Sequence, residues 1–155
     1  MKKLLMIILF LLMPVMAFAD EGTVTYSESS IQDHNFVATF SFIANTGGTV
    51  PATASTDAIT GWVCQIETNP GAVAPTTLYD ITLTIPSGLD IAGGQLADRS
   101  ATVTESIIPK VDAVGIYGCF YVDAQAVTAN ISGNSVNSAT GEIKLKIWSD
   151  KESPL

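Results

Sequence analysis

The chain has 155 residues, of which only 14% are charged, with 15 acidic side chains against seven lysines and arginines. A net charge of −8 with no basic stripe gives nothing to hold phosphates, which argues against nucleic acid and anionic membrane as partners. One histidine and two cysteines are too few for the usual zinc ligand sets.

The N-terminus comes first in chain order. Lys2 and Lys3, an apolar run from Leu4 to Val15, and the triplet Ala17-Phe18-Ala19 have the layout of a secretory signal peptide. The apolar run is shorter than the roughly 20 residues a bilayer span needs. Residues 1–19 are therefore expected to be cleaved, leaving no stable membrane span. Residues 20–155 then form a single domain, with five basic side chains against 15 acidic ones, a net charge of −10. The expected location is extracellular or periplasmic. Cys64 and Cys119, an even pair in an exported chain, are expected to form a disulfide.

The mature chain reads as short strands. Thr23–Tyr26 starts a first one, and Ser27–Asn35 reads as a polar turn containing Asp33 and His34. Phe36, Ala38, Phe40 and Phe42 alternate with smaller or polar residues and predict a core-facing aromatic strand. Asn45–Thr56 has no periodicity. Trp62, Cys64 and Ile66 predict the buried face of another strand, with Val63, Gln65 and Glu67 opposite. Tyr79, Ile81, Leu83 and Ile85 alternate with Asp80, Thr82 and Thr84, the clearest strand pattern in the chain, and Pro86-Ser87-Gly88 ends it. Leu89 and Ile91 resume the alternation before Gly93-Gly94 stops it.

Leu96, Ala97, Arg99 and Ala101 allow one helical turn, but Thr102-Val103-Thr104 opposes a longer helix. Ile107-Ile108-Pro109 predicts a brief edge strand. Ile116–Val122 predicts a strand with Tyr117, Cys119 and Tyr121 on one face, and Val127, Ala129 and Ile131 a further one. In the last strand Ile143, Leu145 and Ile147 face inward, while Glu142, Lys144, Lys146 and Trp148 face outward. Lysines so placed would guard a sheet edge. Seven to nine short strands without a long helix predict an all-β protein, an antiparallel β-sandwich.

No catalytic constellation stands out. The sequence has no G-x-S-x-G elbow for a serine nucleophile, no phosphate-binding glycine loop and no calcium-loop spacing of carboxylates. Nothing singles out a carboxylate pair for glycoside hydrolysis. Asn130-Ile131-Ser132 fits a glycosylation sequon. Trp62 is assigned to the core, whereas Trp148, with Tyr117 and Tyr121, is the better candidate for a contact surface.

Several segments, in order, resemble small β-rich proteins encoded among phage and prophage structural genes. They are ITGWVCQIETNPG (59–71), APTTLYDITLTIPSGLDIAGGQLADRS (74–100), TESIIP (104–109) and NSVNSATGEIKLKIW (134–148). The resemblance implies a virion structural or decoration component and brings no catalytic, cofactor or ligand-binding residue with it. The leader and the cysteine pair set this chain apart from those proteins and extend the expectation to an exported assembly. The expected function is thus non-enzymatic: a structural or decoration protein of a phage-like particle or exported assembly. It would act by surface packing against other subunits or copies of itself, without a cofactor. The alternative is a secreted carbohydrate-binding, adhesin-like β-sandwich that meets glycans through Trp148, Tyr117 and Tyr121.

Overall fold

A computed structural model describes residues 21–32, 35–112 and 114–149. The expected signal peptide (1–19), Asp33 and His34 lie outside the described residues. Those described form nine strands and no helix. They are β1 (Thr23–Gln32), β2 (Asn35–Ile43), β3 (Thr53–Ala54), β4 (Ile59–Pro70), β5 (Asp80–Thr84), β6 (Glu105–Ile107), β7 (Phe120–Gln125), β8 (Thr128–Ser132) and β9 (Thr140–Trp148). All pairings are antiparallel. One sheet runs β1-β2-β9-β4, with β6 and β7 both pairing the far side of β4. The other runs β3-β8-β5.

The alternation of apolar side chains explains why these two sheets share one core. Ala38, Phe40 and Phe42 from β2 and Ile143, Leu145 and Ile147 from β9 are at most 1% exposed. They meet Ile81 and Leu83 from β5 and Ala129 and Ile131 from β8 in a single buried cluster. Phe42 and Tyr79 bridge the layers, with ring centroids 6.4 Å apart. The result is sandwich-like: each sheet presents its apolar face to the other and its polar face outward. On β9 the expected register holds, because a one-residue slip would bury both lysines. Their side chains are instead about one-third exposed, at 32% for Lys144 and 34% for Lys146.

Turn chemistry fixes the connections. After β5 the chain reverses at Pro86-Ser87-Gly88, where the Ile85 amide donates to the Leu89 carbonyl. The returning segment then covers the free side of β5: Ile91 donates to Leu83, Ile81 to Leu96, and Arg99 to Tyr79, all backbone to backbone. In the loop after β8, Asn134 ties three segments together. Its Oδ1 accepts from the Thr76 amide at 2.9 Å, and its Nδ2 donates to the Gly48 carbonyl at 2.7 Å.

Several expectations are corrected. Ser27–Gln32 is strand rather than turn, because it continues to pair with β2 as far as Asn35. Gln95–Ala101 contains no helical turn; it is a run of turns whose Leu96 is buried beneath β5. The strand expected over Ile116–Val122 begins only at Phe120, since Ile116–Gly118 closes a hairpin on Pro109–Val111. β9 lies between β2 and β4, so Lys144 and Lys146 guard no edge. The largest correction concerns β4, where Val63 is fully buried and Trp62 is not.

Candidate contact surface

That correction has a local cause. Along the β4–β9 ladder Val63 pairs with Ile147, but the next partners are Gln65 and Lys146. Cys64 is therefore an extra residue, and the bulge it makes reverses the parity of the strand. Before it, Ile59, Gly61 and Val63 point inward; after it, Ile66 and Thr68 do. Trp62, Cys64 and Gln65 consequently all lie on the outer face. Val63 and Ile66, both buried, are spaced by three where a regular strand gives two or four, but Trp62, Cys64 and Ile66 offer an equally apolar alternation that hides this in the sequence.

The reversal brings the cysteines together. Val63 pairs with Phe120 and Trp62 with Tyr121, so the next step of the same ladder sets Cys64 opposite Cys119. The two form a disulfide with Cα atoms 4.0 Å apart. Both cysteines are on the outer side of the sheet, with Tyr121.

The same ladders build an aromatic row. Trp62 pairs with Trp148 on one side and with Tyr121 on the other. Three large rings from β9, β4 and β7 thus cross the outer face side by side, each half-buried. Trp62 and Tyr121 are in contact, with centroids 5.0 Å apart and planes tilted by 51°. Gly61 lets β4 approach β9 closely beside the row: at its φ of +143° a Cβ would lie 2.4 Å from the Trp148 carbonyl oxygen. The Trp62 indole Nε1 is buried without an acceptor among the described residues.

Polar residues flank the row on one side. Lys146 Nζ lies 3.9 Å from the Glu67 carboxylate, and Lys144 Nζ lies 2.8 Å from that of Glu142. The Glu142 hydrogen bond raises the Lys144 pKa against the opposing effect of burial. An apolar hairpin precedes β7. Val111 donates to the Ile116 carbonyl and Gly118 to that of Pro109. Asp112 Oδ1 accepts from the amides of Val114 (3.0 Å), Gly115 (2.8 Å) and Ile116 (2.7 Å). These amides, Ile116 first, hold the Asp112 carboxyl below its ordinary pKa despite some desolvation. Val114 at the tip is 91% exposed, and Ile108, Val111, Ile116 and Tyr117 are exposed too.

Of the residues singled out from sequence, the structure brings Trp148 and Tyr121 into one row, adds Trp62, and sets Tyr117 on the hairpin instead. A depression of about 390 Å³ at the other end of β9 is lined by Ser41, Asn69 and Thr140, with Glu142 its single ionisable group. That carboxylate is already paired with Lys144. Among the described residues no three His, Cys, Asp or Glu side chains are grouped to hold a metal, and no helix is long and apolar enough to cross a membrane. No family model, curated protein or solved structure matches the chain.

Proposed function

We propose that this protein is a non-enzymatic subunit of an exported or phage-like assembly, and that it works by packing its outer sheet face against other protein. The observation that carries this reading is the aromatic row Trp148–Trp62–Tyr121, continued along the chain by the apolar hairpin at Val111–Tyr117. Aromatic side chains supply large contact area at low cost in conformational freedom. The disulfide fixes the segment that joins row and hairpin, so little ordering is left for binding to accomplish.

The 51° tilt between Trp62 and Tyr121 supports protein packing over glycan binding, because the two rings turn toward each other instead of presenting one flat surface to a sugar. A net charge of −10 on the mature chain opposes crowding of like subunits, so association should strengthen from low to physiological salt. The test is proteomics of purified particles and culture supernatant, with light scattering of the protein across salt. Val114→Ser should weaken recovery with the particle while leaving the thermal midpoint nearly unchanged, because Val114 is 91% exposed. A protein absent from every particle fraction, monomeric at all salts and retained on a glycan column would sink this reading in favour of the adhesin.

A further inference from the structure

Each sheet edge among the described residues but one is short, interrupted or covered. β3 has two residues and β6 three, with Pro109 soon after. β7 carries an irregularity opposite Ile59–Gly61, with Ala124 at a φ of +49°. β5 is covered by its own returning segment. β1 is different: ten residues paired only with β2, without proline, lysine or arginine, and with Glu28 as its one charge. These are the devices that natural sheets use to prevent edge pairing, and β1 lacks them.

We propose that β1 pairs with β1 of a second copy, antiparallel about a two-fold axis at Ser27, joining two six-stranded sheets into one. The side chains select this register. Opposed residues in an antiparallel pair share a face, so the axis must pass through a residue rather than between two. Centred on Glu28, the pairing would oppose two carboxylates. Centred on Tyr26, it would set Glu28 against Val24. Centred on Ser27, it sets each Glu28 carboxylate, which accepts from the Tyr26 hydroxyl of its own chain, opposite Tyr26 of the other copy, and Thr25 opposite Ser29. It also uses the whole regular run Val24–Ser30 and stops before the irregularity at Ile31. Because the far side of the sheet is blocked at β6 and β7, this contact closes at two copies and does not propagate. It is independent of what the aromatic face meets.

The register is tested by cross-linking the full-length protein. Both native cysteines are in the disulfide, so Ser27→Cys adds a single thiol that would face its own copy. Under mild oxidation it should give a covalent dimer on a non-reducing gel. Thr25→Cys and Ser29→Cys should each give little alone and should cross-link when mixed. In light scattering, Thr25→Lys with Ser29→Lys should weaken the dimer about tenfold through two symmetry-related like-charge pairs, and Thr25→Lys with Ser29→Glu should restore it. A monomer at all concentrations, cross-linking no better at position 27 than at 25, or a dimer indifferent to the paired lysines would each overturn the proposal. Particle recovery of the same variants reports separately on the aromatic face.

Discussion

Trp62 shows how a single side chain can be both well packed and poorly satisfied. Its ring leans on Tyr121, yet its Nε1 is buried with no acceptor among the described residues. A buried donor left unpaired costs about 1–3 kcal/mol. Trp62→Phe keeps most of the ring contact and removes that donor, so the losses and gains should cancel to within about 1 kcal/mol. Trp62→Ala keeps neither benefit and should cost about 2–3 kcal/mol, below a fully buried tryptophan because this one is half-exposed. Urea denaturation of both variants checks the contrast; a Phe variant as unstable as the Ala variant would mean the orphan donor costs nothing.

At the level of strands and turns, the hairpin at 109–118 depends on one carboxylate. Asp112 collects three amides, and its pKa lies below the ordinary value of 3.8. A carboxyl whose folded pKa is depressed contributes stability that is complete above its unfolded pKa and is lost as pH falls through the lowered one. Amide exchange at Val114, Gly115 and Ile116, corrected for intrinsic rate, should therefore be slow near pH 6 and accelerate below about pH 4. Asp112→Ala should exchange fast at both. Strands whose alternation is unbroken, β2, β5, β8 and β9, were legible in the sequence because period-2 burial leaves a period-2 pattern. β4 was not, because a bulge changes parity without changing composition: Val63 and Ile66 both look apolar in either register. The polar half of β1 was equally hidden, since Ser27–Ser30 earns its strand geometry from pairing with β2 and not from any buried side chain of its own. The candidate surface inherited the first of these difficulties. Trp148 stands on a regular strand and Tyr121 on the regular start of β7, so both read as outward from sequence; Trp62, beside the bulge, reads as core.

For the molecule as a whole, the Cys64–Cys119 bond closes a loop with a sequence separation of 55 that contains β5 and β6. One strand of each sheet thus lies inside a single covalent ring. On a chain-entropy basis such a closure stabilises by about 4 kcal/mol, so denaturation with and without reductant should differ by roughly that amount. The ring also contains the hairpin tip at Val114, which is 91% exposed. A protease that cuts there divides the polypeptide without dividing the protein. The two pieces stay linked through sulfur and interleaved through both sheets, running as one band on a non-reducing gel and two on a reducing one. A chain built this way can be nicked at an exposed hairpin tip and still remain in one piece.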